Sequence, residues 1–411
     1  MKVAVIGIGY VGLTVVGAAA NSGHEVYAYD LSDAKIHKTQ EMIMSDNHMT
    51  DGYLLYTIRE NMQLVHFSNS YDENLKIANV KFVCVDTINV PSAIQMLTPF
   101  INPDDIIIVE STIEVKTCKI VLDLLKLGTG MTPDKEFIVA FVPERVMEGR
   151  LLENFIEMPR AIGTKKSSFR IVKKIYESLG VMSDLSWCKP KEAIASKIFE
   201  NAFRFIEISI ANEFADICRE SGLDYSSIRK LINSKGHYLG CNEIMNSGIG
   251  IGGPCVPMAA DMAANMDWKN SQLLRTAIEL NMGRPHSIAR AIVAILTERL
   301  GPLEDKMIAI LGATYRPNGV DNRDSPAIEV LTNLANEMPN IHIYDPLWPN
   351  GSEMVQKLNP EEIEDEFDSV VILVGHWRFK DLSMMKCMHF LDLTGVVEKY
   401  PEKAQHQRLR V

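Results

Sequence analysis

Short apolar runs alternate with helical stretches over the first 190 residues. "KVAVIGI" (2–8) is a continuous apolar run of the kind that forms a strand buried on both faces. "YVGLTVVGAAANSG" (10–23) then shows helical apolar spacing with small residues and a stop at Gly23. "EVYAYD" (25–30) is a second strand ending in an acid, and further strands are predicted at 80–87, 105–112 and 136–144. The segments between them are long enough for helical crossovers, which predicts a parallel, doubly wound sheet. From about 190 the texture changes. "KEAIASKIFENAFRFIEISIANEFADICRESG" (191–222) runs without proline to Gly222 and reads as one long helix, a spine between two lobes. A second set of short apolar strands begins at 306 with "KMIAILGATY", "IHIYDP", "SVVILVGH" and "HFLDLTG". The fold class is therefore α/β, with two doubly wound parallel-sheet lobes joined by a long central helix. The expected domains are 1–188, 189–300 and 301–411, and the polar tail after about 398 is expected to carry no chemistry.

Composition narrows the function classes. With 46% apolar and 23% charged residues the chain reads as globular. A formal net charge of −11 opposes general nucleic-acid binding, which needs a basic surface. Seven cysteines without a CxxC pair fit a reducing cytoplasm. The ten histidines form no ligand-spaced cluster, so no metal site is expected. The glycine spacing and the strand that follows it oppose reading the N-terminus as a secretory signal. No apolar run approaches the ~20 residues of a membrane span, so a cytoplasmic protein without membrane partners is expected.

Two glycine-rich stretches carry candidate chemistry. Gly7, Gly9 and Gly12 form GxGxxG directly after the first strand and open a helix. The first allows the tight turn, the second close approach of a pyrophosphate, and the third close packing of helix on strand. Asp30, 18 residues after Gly12, can accept hydrogen bonds from ribose hydroxyls and would repel a 2′-phosphate, which favours NAD over NADP. Thr87 and Thr112 close later strands on the same ligand-binding edge, as helix caps or as ligand contacts. The second stretch, "GIGIGGPCVPMAAD" (248–261), ends in Cys255 and has no buried strand leading into it. Without such a strand it does not read as a second phosphate loop; a seat for a reactive thiol, a turn and a small buried cysteine stay open.

Taken together, "GIGYVG", "ESTI", "VPERVMEG", "MPRAIG", "ASKIFENAFRFIEISIANEFADIC", "GIGIGGPCVP", "LGATYRPNGVDNRDSPA" and "IYDP" resemble, in order and spacing, the NAD-dependent nucleotide-sugar 6-dehydrogenases, the family of UDP-glucose and UDP-N-acetylmannosamine dehydrogenases. The resemblance covers nearly the whole chain. It implies a Rossmann-like NAD-binding domain at 1–188, a central helical dimerisation and substrate domain at 189–300 carrying the nucleophile, and a Rossmann-like UDP-sugar domain at 301–411. It also implies a four-electron oxidation of the sugar C6 alcohol, in which a cysteine captures the aldehyde as a thiohemiacetal and carries the later thioester. Cys255 would be that nucleophile, with the preceding glycines letting backbone approach the sugar. Lys197 and Asn201 would stabilise the oxyanion, and Glu144 with Thr112 and a water would move protons. The implied cofactor set is Gly7, Gly9, Tyr10, Val11, Gly12, Asp30, Lys35, Thr87, Thr112 and Arg323. The implied substrate set is Glu144, Arg145, Lys197, Asn201, Arg204, Gly252 and Arg316. A homodimer through the central helix and a role in polysaccharide biosynthesis go with the same resemblance.

One departure is sharp. The family continues C-x-P-x-D, whereas this chain reads Cys255-Val256-Pro257-Met258-Ala259. Asp261 lies two residues on, and a two-residue offset at a helix start points to another face. Lys235 is the nearest candidate for the basic residue the family often carries upstream of the loop. Two classes stay open: an active UDP-sugar dehydrogenase, or a divergent paralogue that binds NAD and a UDP-sugar without completing the oxidation. A hydroxyacid dehydrogenase is weaker, since it would not need Cys255. "PERV" and "YRPNGVDNRDSPA" look more like the N-acetylhexosamine enzymes, which favours UDP-N-acetylmannosamine or UDP-N-acetylglucosamine, with UDP-glucose next.

Overall fold

The computed structural model describes residues 1–45, 51–239, 243–348, 356–357 and 366–408, without the side chains of 235–239, 356–357 and 408. The side chain of Lys235 and all of Cys241 lie outside the described residues. The chain divides into two compact units, Met1–Ile198 and Phe199–Val411.

The first unit is built on an eight-stranded sheet: β1 (Lys2–Ile6), β2 (Glu25–Tyr29), β3 (Val65–Ser68), β4 (Val80–Val83), β5 (Ile106–Val109), β6 (Ile138–Phe141), β7 (Arg160–Thr164) and β8 (Leu185–Cys188). Its order is β3-β2-β1-β4-β5-β6-β7-β8. β1 to β6 are parallel, and β7 turns antiparallel to β6. β4 and β5 are buried at every position, as their unbroken apolar runs require of strands covered by helices on both faces. They end at Val83 and Val109, short of the apolar and polar residues that follow, because the chain leaves the sheet there to build edge loops. The strand order reverses direction between β1 and β4, and that switch point is where open α/β sheets hold ligands.

In the second unit β9 (Ile308–Leu311), β10 (Ile341–Tyr344), β11 (Gln356–Lys357), β13 (Ser369–Ile372), β15 (His389–Asp392) and β16 (Gln405–Arg408) form a parallel sheet in the order β11-β10-β9-β13-β15-β16, beside a two-stranded ladder of β12 (Glu366–Phe367) and β14 (Lys386–Cys387). The polar tail is thus structural: β16 pairs with β15 as an edge strand. The long helix runs Pro190–Glu220 and passes from the first unit into the second; Gly222 follows with φ +67°. A second long helix, Gln272–Leu300, packs its apolar face (Ile288, Ile292, Leu296) into the core under β9 and β13. Among the described residues no helix is long and apolar enough to cross a membrane.

Candidate active site

Sterics build the glycine turn of the first unit. Gly7 has φ +92°, and a Cβ there would lie 2.6 Å from the carbonyl oxygen of Cys84. A Cβ on Gly12 would lie 1.8 Å from the Gly7 carbonyl oxygen, so the helix Tyr10–Asn21 can cross the strand only without a side chain. A Cβ on Gly9 would meet nothing within 4 Å. Gly9 faces a cavity of about 350 Å³ bounded by Gly7, Asp30, Ser32, Tyr71 and Val85. No side chain caps the helix, whose first N–H groups can therefore serve an anion.

Asp30 closes the same cavity from the end of β2. Its Oδ2 accepts from the Ile8 amide (3.1 Å) and the Lys35 ammonium (2.7 Å), and its Oδ1 accepts from the Ser32 amide (3.1 Å). Burial pushes the carboxyl up, but Lys35 and the two amides outweigh it and hold it below the usual carboxylate range. Oδ1 keeps a lone pair for a ribose hydroxyl. An open Gly9, an uncapped helix and an ionised acid at the strand end fit a dinucleotide.

Glu144, just past β6, is 6% exposed, so it is not a surface carboxylate. Its Oε1 accepts from the amides of Arg145 (2.6 Å) and Val146 (3.0 Å), and its Oε2 from Arg160 Nη1 (2.6 Å). Arg160, from β7, lies over the Phe155 ring at 4.2 Å and 4.0 Å from Glu110 Oε2. The Tyr176 hydroxyl donates to Glu110 Oε1. The Thr87 hydroxyl donates to the Thr112 carbonyl at 2.7 Å, tying together the edge loops after β4 and β5.

In the second unit, backbone contacts set the loop before Cys255. Asn212 Oδ1 accepts from the Gly248 amide (2.8 Å), and Arg284 Nε donates to the Gly248 carbonyl (2.6 Å). Asn281 accepts from the Ile251 amide (2.7 Å) and donates to the Ile251 carbonyl (3.0 Å). The glycines then press the loop onto the segment after β9. A Cβ on Gly250 would come within 2.8 Å of Pro326, one on Gly252 within 2.2 Å of the Asp324 carbonyl oxygen, and one on Gly253 within 2.7 Å of the Tyr315 ring. Close approach to the protein itself therefore already requires these glycines. Cys255 follows as the exposed N-cap of the helix Val256–Met266, beside its first-turn N–H groups. Cys84, Cys118, Cys218 and Cys387 are buried, so the small-buried-cysteine reading fits them and not Cys255.

The same loop walls a cavity of about 530 Å³, together with the strand ends Thr314–Tyr315, Leu373–Gly375 and Leu393–Gly395 and the cations of Arg229 and Lys230. A buried trio organises its edge. Asp345 Oδ2 accepts from the amides of Ala313 (2.7 Å) and Thr314 (3.1 Å) and lies 3.0 Å from His376 Nε2. His376 Nδ1 accepts from the Asn318 amide (3.1 Å), a network that assigns the proton to Nε2. Burial pushes the Asp345 carboxyl up, yet His376 and the amides prevail and hold it low.

Comparison with known proteins agrees across the chain. Models described as the NAD binding, central and UDP binding domains of one dehydrogenase family match residues 1–180, 191–282 and 309–399. A UDP-N-acetyl-D-mannosamine dehydrogenase of Methanococcus maripaludis is 30% identical over 93% of this chain and 87% of its own. A UDP-glucose 6-dehydrogenase of Rickettsia bellii is 29% identical over 97% of this chain and 96% of its own. The solved UDP-D-ManNAc dehydrogenase of Pyrococcus horikoshii superposes with a TM-score of 0.87 at 26% identity, covering 99% of this chain and 98% of that one. The chain belongs to the UDP-glucose/GDP-mannose dehydrogenase family. It is an NAD-dependent oxidoreductase with a UDP-binding lobe.

Within this family frame the remaining expected residues fall as follows. Tyr10 is exposed at 39%, with its hydroxyl 3.3 Å from Glu148, and Val11 packs against the core. Lys197 and Asn201 are both half-buried, one turn apart on the long helix. Arg145 Nη1 donates to the Pro159 carbonyl (3.0 Å), and Arg204 lies 3.7 Å from the Met245 sulfur. Arg316 is half-buried between the cavity walls Tyr315 and Pro317, its guanidinium over the Tyr315 ring at 5.9 Å. Arg323 is held by Asp321 through contacts of 2.6–3.1 Å, the surface ion pair that competes with a phosphate role. Ala259 is fully buried and Asp261 exposed, so the two occupy different faces. Sequence reasoning missed Glu110, Arg160, Asn212, Asn281, Arg284 and His376. Glu110, Arg160 and Asn212 sit inside stretches that carry the resemblance, without an expected role of their own; Asn281 and Arg284 act through backbone groups, and His376 through Asp345 and the Asn318 amide, for which side-chain pattern carries no signal.

Proposed function

We propose that this chain oxidises the C6 alcohol of a UDP-sugar to the uronic acid, with UDP-N-acetylmannosamine or UDP-N-acetylglucosamine favoured and UDP-glucose next. What carries the reading is Cys255, an exposed thiol at a helix start, closing a clamped loop that also walls the 530 Å³ cavity lined by strand ends of the UDP binding domain. Bound NAD⁺ supplies the hydride acceptor for each of two oxidations. Cys255 adds to the aldehyde left by the first, forming the C–S bond of a thiohemiacetal. The second oxidation leaves a thioester, which water cleaves to the carboxylate and the free thiol. Each turnover thus consumes two NAD⁺ and one water and releases two NADH and three protons.

Lys197 and Asn201 hold the developing oxyanion, a task for preorganised donors. Glu144, fixed by two amides and Arg160, takes and returns protons with Thr112 and a water. Arg145, Arg204, Gly252 and Arg316 contact the substrate. Gly7–Gly12, Asp30, Lys35 and Thr87 hold the cofactor, and Arg323 reaches its phosphates by leaving Asp321. The protein works in the cytoplasm as a homodimer that supplies uronic acids for polysaccharide. Support for the dimer comes from Phe199, Phe203, Ile206, Ile210, Phe214 and Ile217, which share one strip of the long helix; all but Ile206 are 40–57% exposed.

A second reading, binding without full oxidation, rests on Ala259, which leaves no carboxylate where the family pattern has one. Mass spectrometry separates the two. Wild type trapped with NAD⁺ and UDP-sugar should carry a sugar adduct on Cys255, and Cys255→Ser should lose both adduct and turnover. Full turnover in the serine variant would refute the nucleophile.

A further inference from the structure

Beneath Glu144 lies a charge arrangement that the reaction scheme does not use. Glu110 (1% exposed), Arg160 (2%) and Tyr176 (0%) are all buried, and Arg160 Nη1 stands between the Glu110 and Glu144 carboxyls. Among the described residues Arg160 is the one cation paired with these two carboxylates, and it is engaged by Glu144 at 2.6 Å, against 4.0 Å to Glu110. Glu110 Oε1 is satisfied by the Tyr176 hydroxyl, whereas Glu110 Oε2 receives no hydrogen bond from any described donor. A buried, unpaired carboxylate oxygen is costly, and with the Arg160 charge engaged by Glu144 a proton on Glu110 removes that cost.

We propose that Glu110 is a standing carboxylic acid that donates its proton to Glu144, and thereby positions Glu144 in its ionised, proton-accepting form. The groups facing Glu110 are Glu144 after β6, Arg160 on β7, Tyr176 on the helix Phe169–Ser178 and Cys84 after β4. Burial pushes the Glu110 carboxyl well up and the Glu144 charge adds to this, with Arg160 opposing. Tyr176 and Cys84 are pushed up by burial as well and remain neutral donors. The proposal rests on Glu144 as the acid–base group for its role, but not for the location of the proton.

Two arms locate the proton without turnover. Infrared spectra of the wild-type protein at neutral pH should contain the C=O stretch of a buried carboxylic acid, absent from Glu110→Gln; a wild-type spectrum without it overturns the proposal. Unfolding is the second arm. An acid held above its ordinary value favours the folded state below that value and loses this contribution as pH rises. The folding constant of Glu110→Gln relative to wild type should therefore grow about tenfold per pH unit above the ordinary glutamate value. A pH-independent ratio overturns the proposal. For the role, Glu110→Gln keeps a donor to Glu144 and should retain kcat, while Glu110→Leu should lose kcat with little change in KM. The alkaline limb of wild-type kcat that reports loss of this proton should vanish in Glu110→Gln; identical limbs overturn the positioning role. A wild type that shows the infrared band but no turnover refutes the reading of Glu144 and leaves the proton where it is placed here.

Discussion

Replacing Gly252 by alanine tests the claim that the glycine loop is shaped by contact with its own protein. The added Cβ would sit 2.2 Å from the Asp324 carbonyl oxygen and 2.4 Å from Pro326 Cδ. Both belong to backbone or a ring, so neither can swing away. Overpacking of this kind costs roughly 1–3 kcal/mol. For a unit the size of Phe199–Val411 that is a melting shift of about 2–12 °C. Relief requires the loop to lift, and the clamps at Gly248 and Ile251 resist this upstream, so displacement falls on the stretch leading to Cys255. Gly248→Ala is the control within the same loop, since a Cβ there meets nothing within 4 Å. Differential scanning fluorimetry and the rate of iodoacetamide labelling at Cys255 read the two effects. Gly252→Ala should melt lower, label at a changed rate and lose NADH production, while Gly248→Ala should match wild type. Equal behaviour of the two variants would refute the reasoning.

Asp30→Ala removes charged hydrogen bonds worth roughly 1.5–3 kcal/mol, so NAD should bind about 10–100-fold more weakly by calorimetry; unchanged affinity would count against the ribose contact. Asp345→Asn should destabilise the protein at neutral pH by roughly 1.5–3 kcal/mol. Because His376 and the amides hold Asp345 low, its contribution is present above the ordinary carboxylate value and is lost as pH falls through the depressed one. The melting difference should therefore shrink below about pH 4, and a constant difference would refute the assignment. Phe203→Glu with Phe214→Glu places charges on the exposed strip of the long helix, and light scattering should then report a monomer where wild type is a dimer. A wild-type monomer would refute the dimer outright.

The parts of this molecule that were legible in the sequence are those in which one residue type answers one local demand. GxGxxG could be read because each glycine meets a separate steric limit, seen at Gly7 and Gly12 as contacts no Cβ could survive. The long helix could be read because 31 residues of good helix formers run from Pro190 to Glu220 without an internal break. β7 is not among the predicted strands, and "RAIGT" reads the same whether it runs parallel or antiparallel to β6, since strand direction is decided by the connection. β16 was missed because "QHQR" is polar, and an edge strand needs pairing partners rather than apolar content. Asn281 and Arg284 were invisible for a different reason. They bind backbone groups 30 and 36 residues away, and nothing in a helix pattern announces such a partner. The glycines before Cys255 were assigned to the nucleophile loop, but the reason given was the sugar; Asp324, Pro326 and Tyr315 supply a reason from within the fold.

The full four-electron oxidation has to proceed with Ala259 in place of the expected aspartate. Its most direct test is the molar ratio of NADH formed to UDP-sugar consumed, measured with UDP-N-acetylmannosamine, UDP-N-acetylglucosamine and UDP-glucose in turn. Two NADH per sugar are expected with an N-acetylhexosamine substrate. Tight binding of NAD and UDP-sugar with no NADH from any of the three would contradict the four-electron oxidation.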